Sequence, residues 1–403
     1  MTQYAERIYD MAKEADKLNS LSRSLTKPNI ISFGAGAPAL EAYPFDILRE
    51  ISQDIFQAND KGYESVKYGS TTGFESLKEA VCEELLKPRG LQAEPDQIMI
   101  TSGGIQPMNL LCQLFINPGD VILVESPTFV HATMIFKMFQ AEVIPCAMDD
   151  DGLIMEDVEE NIKKYHPKMV YTIPTFQNPT GITMTLERRK KLAELGSKYD
   201  VIILEDDPYR EIRYSGEHLP PIKSFDTTDN TIFVNSFSKI FSPGSRLGYL
   251  VASKKIMSKL SDIKLGTDTC TNTMAQALCA EFFKRGYYPD HLKHICDIYR
   301  SRRDSMLKSL NAYFPEGTKH TTPEGGYYVW AELPKSIDAE ALAQEIGDKL
   351  RIYYGIGSAF YPEGLPDGIG GNCMRLNFSG LNEEVIEENI KKLGEFFQEK
   401  SVH

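Results

Sequence analysis

Short apolar runs alternate with longer amphipathic stretches between about residues 98 and 252. The strand-like runs are QIMIT, DVILVES, AEVIPCA, KMVYTIP, DVIILEDD, TIFVNS and LGYLVAS. Most of them are apolar at successive positions, which is typical of strands buried on both faces of a sheet. Between several runs the apolar residues have helical spacing, as in residues 185–199. This alternation predicts an α/β fold with a mostly parallel seven-stranded sheet and helices on both faces.

A different pattern begins near residue 290, where a long amphipathic stretch predicts a helix that leads out of the first domain. Three further apolar runs predict the strands of a smaller α+β domain. A last amphipathic helix carries four apolar residues, Ile386, Ile390, Leu393 and Phe397. We therefore predict three parts: an N-terminal helix and substrate-side segment that pack on the small domain and a partner subunit (1–60), a large ligand-binding domain (61–290) and a small C-terminal domain (291–403).

Small or polar residues follow the ends of five predicted strands, which is where ligands bind in parallel sheets. After IMIT, the segment SGGIQP places Gly104 and Ile105 at a helix start, where backbone N–H groups and the helix dipole attract anions. An ordinary glycine turn would account for the same segment. After VILVE, Phe129 is either a core aromatic residue or a flat platform for an aromatic ligand.

Two further strand ends carry an amide and two acids. Asn178, in QNPTG, is either a turn residue or an amide donor to a ligand oxygen. Asp206 and Asp207 end an apolar strand, where a buried carboxylate is costly without a cationic partner. Asp207 precedes Pro208, which predicts a helix N-cap and leaves Asp206 free to pair with a buried cationic ring nitrogen. Tyr209 could reach the same ligand.

The fifth strand end is the segment NSFSKIFSPGSRLGYL. The hydroxyls of Ser236 and Ser238 and the guanidinium of Arg246 suit a phosphate group. Lys239 is suited to forming an imine, although a lysine taken alone is most often a solvated surface residue. Together, the five loops predict a site for a planar aromatic ligand with a phosphate, a cationic ring nitrogen and an aldehyde. Pyridoxal 5′-phosphate (PLP) has all of these groups.

The segments QNPTG, EDDPY and SFSKIFSPGSRLGY, in this order, resemble the fold-type I PLP-dependent aminotransferases of class I/II. The resemblance is closest to the branch of 2-aminoadipate and kynurenine aminotransferases and extends over nearly the whole chain, from SFGAGAPALEAYPFD to CMRLNFSG. It implies that Lys239 binds the cofactor aldehyde covalently and moves protons. It implies that Asp206 keeps the pyridinium nitrogen protonated. It also implies that Asn178 and Tyr209 hydrogen-bond the phenolic oxygen O3′.

The same resemblance implies the remaining contacts. Phe129 would stack on the cofactor ring. Five residues would bind the phosphate, two through their backbone and three through their side chains: Gly104, Ile105, Ser236, Ser238 and Arg246. Tyr68, in KYGSTTG, would reach the phosphate of the partner subunit's cofactor, which implies a homodimer. Arg375, in MRLNFS, would bind the substrate α-carboxylate together with Asn178, and the backbone of Gly36 would lie near the substrate.

The predicted function is an aminotransferase that moves an amino group from an L-amino acid to a 2-oxo acid, with 2-oxoglutarate as the expected acceptor, by a ping-pong mechanism. We expect an aromatic, 2-aminoadipate-like or broad substrate range. A PLP-dependent β-lyase stays open, because it shares the lysine, the aspartate and the arginine but releases pyruvate and ammonia. A PLP-binding sensor domain of a transcription regulator is a third alternative. It is disfavoured because the chain is acidic and starts almost directly at the catalytic domain.

Substrate choice depends on side chains near the mouth of the predicted site. Tyr43, Tyr327 and Tyr361 would suit a large or apolar substrate side chain. Arg23, in the predicted N-terminal helix, is a candidate for binding a second carboxylate and could equally be a surface residue.

Composition limits the classes of partner. The 403-residue chain has 44 basic and 57 acidic residues and a net charge of −13, whereas nucleic acid and anionic membranes require a positive surface. The seven cysteines, without a C-x-x-C pair, predict neither a disulfide framework nor a zinc site. We predict no metal site, and we expect His291 and His294 on a solvated helix face. The polar N-terminus and the lack of a long apolar window predict a cytoplasmic protein.

Overall fold

A computed structural model describes residues 4, 5, 7–9, 11, 12, 15 and 30–401. Within these residues, the strands form three sheets of eight, four and two strands. In chain order the strands are β1 (Ile31–Ser32), β2 (Ile98–Thr101), β3 (Val121–Ser126), β4 (Glu142–Asp149), β5 (Gly152–Leu153), β6 (Met169–Thr172), β7 (Ile202–Asp206), β8 (Thr231–Ser236), β9 (Gly248–Val251), β10 (Lys319–His320), β11 (Tyr328–Glu332), β12 (Ile352–Tyr353), β13 (Gly355–Ile356) and β14 (Cys373–Asn377).

The large sheet has the strand order β2–β9–β8–β7–β6–β3–β4–β5. Strands β4, β3, β6, β7 and β8 run parallel, whereas β9 is antiparallel to both of its neighbours. Each of the seven predicted runs contributes one strand, so the prediction of a mostly parallel sheet is confirmed. The eighth strand, β5, escaped the sequence pattern because it has only two residues.

Helices cover the large sheet on both faces. In chain order the helices are α1 (Phe45–Ile55), α2 (Asp60–Val66), α3 (Glu75–Ala80), α4 (Ile105–Phe115), α5 (Val130–Met138), α6 (Met155–Tyr165), α7 (Leu186–Tyr199), α8 (Lys254–Thr267), α9 (Thr273–Lys284), α10 (Tyr288–Tyr313), α11 (Ala339–Lys349) and α12 (Glu383–Ser401). Ile122 and Val124 of β3 pack into one buried cluster, and Leu123 packs into another. Because successive residues of a strand face opposite sides, the continuous apolar run of β3 follows from burial on both faces.

The small sheet has the order β10–β11–β14–β13, and its pairs are antiparallel. Helices α10 and α12 share a buried apolar cluster with β11 and β14. The four apolar residues predicted on α12 are fully buried within it. Near the N-terminus, β1 pairs in parallel with β12, which attaches residues 31 and 32 to this part of the chain. The domain boundaries at residues 60 and 290 stay a prediction.

Backbone hydrogen bonds join the small sheet to the large one. The N–H of Thr128 donates to the carbonyl of Phe360 at 2.8 Å, and the N–H of Tyr214 donates to the carbonyl of Glu324 at 2.7 Å. Arg213 and Gly325 form an isolated β-bridge. These contacts join the segments that follow β3 and β7 to the segments that precede β14 and β11.

The described helices include none that is both long and apolar enough to cross a membrane. Within the same residues, no group of three histidine, cysteine or acidic side chains has the arrangement of metal ligands. The expectation of a solvated face for His291 is wrong. His291 is buried and its ring lies 5.5 Å from that of Phe282, because it precedes the buried Ile295 by one helical turn. His294 is exposed.

Candidate active site

Lys239 lies in a 3₁₀ turn, Phe237–Lys239, directly after β8. Its Nζ donates a hydrogen bond to the carbonyl of Gly36 at 2.9 Å and lies 5.6 and 5.2 Å from the ring centres of Tyr209 and Tyr327. Burial, with the positive charges of Arg375 and Arg246, lowers the pKa of Lys239 to about 8. A lysine with a lowered pKa has a larger neutral fraction and is therefore a better nucleophile.

Asp206 is the last residue of β7 and is 3% exposed. Burial raises its pKa to about 7, and the neighbouring Asp207 adds to this shift. The hydroxyl of Tyr171 donates to Asp206 Oδ2 at 2.9 Å and opposes it. In the part of the chain that the structure describes, no cationic side chain pairs with Asp206. A buried carboxylate without a cation fits a ligand that brings one, such as a protonated ring nitrogen.

Asp207 does not cap a helix, contrary to the prediction. The chain continues as a turn from Pro208, and Asp207 Oδ2 instead accepts a hydrogen bond from Thr175 Oγ1 at 3.1 Å. Asp207 also pairs with Arg210 at 3.3 Å. The two adjacent acids therefore differ in environment, because Asp207 has a cationic partner and Asp206 has none within the described residues.

The start of α4 lies beside the end of β8, and both offer groups that can bind an anion, since a Cβ on Gly104 would lie 3.6 Å from Ser236 Cβ. Gly104 precedes α4 without a side-chain cap, so the first N–H groups of the helix are available to a ligand. Gly103 has φ +73°, and a Cβ on it would lie 2.5 Å from Arg246 Nη2. On the other side, Ser236 Oγ donates to Ser238 Oγ at 2.9 Å. Gly103 was not singled out from the sequence, because only the positive φ reveals its role.

Arg375 of β14 is buried and reaches the loop that follows β6. Its Nη1 donates to Asn178 Oδ1 at 2.8 Å and its Nη2 donates to the carbonyl of Gly34 at 2.6 Å. Its guanidinium lies between the rings of Tyr328 and Phe360, at 4.3 and 4.6 Å. The Nε atom is buried without a hydrogen-bond partner. Because these partners are uncharged, the site retains a positive charge that suits a carboxylate.

Tyr209 and Tyr328 meet between Lys239 and Arg375. The hydroxyl of Tyr209 donates to that of Tyr328 at 3.4 Å, and burial raises the pKa of Tyr209 well above its usual value. Tyr209 is therefore a neutral hydrogen-bond donor at physiological pH. Tyr327, predicted from the sequence to lie near the mouth, has a fully buried side chain, and its ring centre lies 5.2 Å from Lys239 Nζ. The adjacent Tyr328 instead contacts Arg375 and Tyr209.

The other predicted residues lie at the edge of this group or outside it. Phe129 precedes α5, is half-buried, and has its ring 5.0 Å from that of His131. Tyr361 packs near Trp330, at 6.4 Å between ring centres. Tyr68 is 87% exposed and lines an open cleft of about 560 Å³ that none of the other predicted cofactor residues lines. Arg23 lies outside the described residues.

Comparison with known proteins decides the family. The model of the family "Aminotransferase class I and II" matches residues 28–393. The chain belongs to the class I and II aminotransferases. This aminotransferase is 38% identical to aromatic-amino-acid aminotransferase 1 of Thermococcus litoralis over 402 residues, which cover 98% of this chain and 94% of the relative.

The solved structures that match nearly the whole chain include the following two aminotransferases. Kynurenine aminotransferase of Pyrococcus horikoshii is 38% identical, with a TM-score of 0.90 and coverage of 98% of this chain and 97% of that one. Alpha-aminoadipate aminotransferase of Thermus thermophilus is 30% identical, with a TM-score of 0.86 and coverage of 97% of each chain, and was solved with N-(5′-phosphopyridoxyl)-L-leucine. The protein is thus a PLP-dependent aminotransferase of fold type I.

The residues described above fit PLP. The groups near Gly103 and Arg246 suit its phosphate, and among the described residues none gives Asp206 the cation that a pyridinium nitrogen would supply. When bound, PLP withdraws electrons from the substrate carbon that bears the amino group. The family findings favour transamination over the β-lyase and regulator alternatives.

Proposed function

We propose that this aminotransferase uses aromatic L-amino acids as donors, within a broad range, and 2-oxoglutarate as acceptor. The observation that carries the proposal is the aromatic surrounding of Arg375. Phe360, Trp330 and Tyr361 form a connected group of rings beside the guanidinium, with centre distances of 6.0 Å for Trp330–Phe360 and 6.4 Å for Trp330–Tyr361. A substrate held by its α-carboxylate at Arg375 would direct its side chain toward these rings. The names of the Thermococcus and Pyrococcus relatives support an aromatic donor.

The residues have the following proposed roles. Lys239 would hold the cofactor through its amine, and the free amine would serve as general base and acid for the proton at the substrate Cα and at the cofactor carbon C4′. Asp206 would hold the ring nitrogen protonated, Asn178 and Tyr209 would donate to O3′, and Phe129 would support the ring. Five residues would hold the phosphate: Gly104 and Ile105 through their backbone, and Ser236, Ser238 and Arg246 through their side chains.

Asn178 is well placed for its role because Arg375 occupies its amide oxygen. Its amide NH₂ group is then the part of the side chain that can donate to O3′. Arg375 fixes the α-carboxylate, and this fixes the direction of the Cα–H bond relative to the cofactor ring. Gly36 holds the Lys239 amine through its carbonyl.

Transamination half-reactions test the donor range. The PLP form would be mixed with single amino acids without an oxo acid, and formation of the pyridoxamine form would be followed by absorbance. We expect phenylalanine and tyrosine to react at least about tenfold more efficiently than alanine, since a buried aromatic ring adds more than 1.4 kcal/mol of apolar binding. Equal efficiencies would refute an aromatic preference. Release of pyruvate and ammonia without an oxo acid would indicate the lyase.

We also propose a homodimer in which Tyr68 completes the partner's phosphate site. Tyr68 is exposed, and so are three apolar residues in its part of the surface, namely Tyr63, Val66 and Met274. Exposed apolar groups of this size are typical of an interface. The variants Lys239→Ala and Tyr68→Ala would be mixed under conditions of subunit exchange. If Tyr68 acts across the interface, the mixture regains activity that neither variant has. No recovery with proven exchange would place its role within one chain.

The cytoplasmic location is likewise a proposal. It is supported by the cysteines, since all seven are free thiols and six of them are buried. Unpaired cysteines are typical of a reducing compartment. Fractionation of source cells, with the protein followed by antibody, would test it, and recovery outside the cytoplasmic fraction would refute it.

A further inference from the structure

Tyr328 is the first residue of β11, and its side chain contacts two parts of the site. Its ring faces the Arg375 guanidinium at 4.3 Å, and its hydroxyl accepts a hydrogen bond from Tyr209 at 3.4 Å. Tyr328 is 4% exposed, so these contacts are enclosed. Tyr328 therefore touches both Arg375, which is proposed to bind the substrate carboxylate, and Tyr209, which is proposed to donate to O3′.

Gly36 fixes the hydroxyl of Tyr328 from a third side. A Cβ added to Gly36 would lie 1.8 Å from Tyr328 Oη, so the glycine Cα is in close contact with this hydroxyl. The carbonyl of Gly36 in turn accepts the hydrogen bond from Lys239 at 2.9 Å. The Tyr328 hydroxyl therefore cannot move toward Gly36 or toward Tyr209 unless that residue moves as well.

We propose that Tyr328 is a positioning residue that couples carboxylate binding at Arg375 to the hydrogen bond that Tyr209 donates to the cofactor. The Tyr209–Tyr328 bond of 3.4 Å is long for O–H···O, so the Tyr209 proton can be given up to a better acceptor. Cofactor O3′ and Tyr328 Oη compete for this one donor. A carboxylate that reorients Arg375 on the Tyr328 ring shifts the competition, and by linkage the two binding events affect each other equally.

The proposal rests on the proposed roles of Tyr209 and Arg375, and a pH titration of the bound cofactor's absorbance tests it. Because O3′ carries more negative charge in the deprotonated form, a hydrogen bond donated to O3′ lowers the pKa of the bound cofactor. The titration would be run with and without saturating 3-phenylpropionate, which has the carboxylate and the ring but no amino group to react. The chains compared would be the wild type, Tyr328→Phe, Tyr209→Phe and the double variant.

Tyr328→Phe keeps the ring on Arg375 and removes only the competing acceptor. We expect the pKa of the bound cofactor to fall by about half a unit to one unit, as for a gain of one neutral hydrogen bond. The shift in the cofactor pKa that 3-phenylpropionate causes should disappear. The dissociation constant of 3-phenylpropionate should stay within about twofold of the wild-type value, a smaller change than the loss of one hydrogen bond would cause. Tyr209→Phe should raise the pKa, and adding Tyr328→Phe to it should have no further effect.

Tyr354→Phe is the matched control. It removes a buried hydroxyl that donates to the Ala339 carbonyl at 2.6 Å, away from the site. The cofactor pKa of this variant, with and without 3-phenylpropionate, should be as in the wild type. The coupling would be overturned if Tyr328→Phe had the wild-type cofactor pKa with and without 3-phenylpropionate. It would also be overturned if the changes in cofactor pKa of the two single variants added up in the double variant. If Tyr209→Phe itself leaves the pKa unchanged, the proposed contact of Tyr209 with O3′ fails and the coupling fails with it. If only Tyr328→Phe is silent, the Tyr209 contact stands.

Discussion

Replacing Gly103 by alanine should weaken cofactor binding far more than it weakens the fold. Gly103 has φ +73°, a conformation that costs a residue with a Cβ about 1–2 kcal/mol. The added Cβ would also lie 2.5 Å from Arg246 Nη2. Because Nη2 is the end of a flexible side chain, the protein can relieve this contact by moving Arg246 away from the anion site. The stability cost is then mainly the backbone strain.

The cost in affinity comes from the displaced Arg246. A hydrogen bond to a charged group contributes about 1.5–3 kcal/mol, and each 1.4 kcal/mol is a tenfold change in the dissociation constant. We expect Gly103→Ala to raise the dissociation constant of PLP by about 10- to 150-fold. The measurement is a titration of the cofactor-free protein with PLP, followed by absorbance, together with thermal unfolding of the cofactor-free protein.

Gly119→Ala is a matched control for the strain. Gly119 has a similar φ of +86°, but a Cβ on it would meet nothing within 4 Å. Both variants should lose a similar stability, and only Gly103→Ala should lose affinity for PLP. Wild-type affinity in Gly103→Ala would show that Arg246 does not need this glycine, and equal losses of affinity in both variants would attribute the effect to general destabilisation.

Three further outcomes are expected. Lys239→Ala should lose turnover and the absorbance of covalently bound cofactor, and retention of both would contradict the role of Lys239. Burial raises the pKa of the Asp206 carboxyl to about 7, from 3.8 for an ordinary aspartate. Because this carboxyl ionises at a higher pH in the folded protein than in the unfolded one, the cofactor-free protein should lose stability as the pH rises from about 4 to 7. Asp206→Asn should reduce this dependence of stability on pH. A wild-type melting temperature that stays constant across this pH range would refute the raised pKa of Asp206. Gly36→Ala should destabilise the fold by about 1–3 kcal/mol in urea unfolding, because its Cβ would lie 1.8 Å from Tyr328 Oη, whereas Gly244→Ala, with its nearest contact at 3.6 Å, should be tolerated.

The sequence was most informative where a residue type and a strand end coincide. Lys239 and Asp206 follow or end apolar runs that had to be parallel strands, so their meeting at one edge of the sheet was predictable. Arg375 was predictable only through the family resemblance, because it comes from the second sheet and nothing local indicates that it reaches Asn178.

Other features depend on details that residue types do not encode. Tyr327 and Tyr328 are adjacent and chemically identical, and only the orientation of β11 decides which of them faces Arg375. Asp207 has the neighbours of an N-cap, but the buried Arg210 and Thr175 offer it partners, and no helix forms. The proposed contribution of Tyr68 involves a second chain, so the structure of one subunit does not test it.

The hydrogen bond from the Thr128 N–H to the Phe360 carbonyl has a consequence for how such an enzyme can change its substrates. Thr128 is next to the proposed cofactor platform, Phe129, and Phe360 packs on Arg375. The spacing between the platform and the carboxylate anchor is therefore held by two backbone groups, whatever side chains surround them. With the roles proposed above, substitutions at Trp330 or Tyr361 would alter which amino acids enter while the geometry of the reacting bond is preserved. Substrate range can thus drift in evolution without repeated loss of the chemistry.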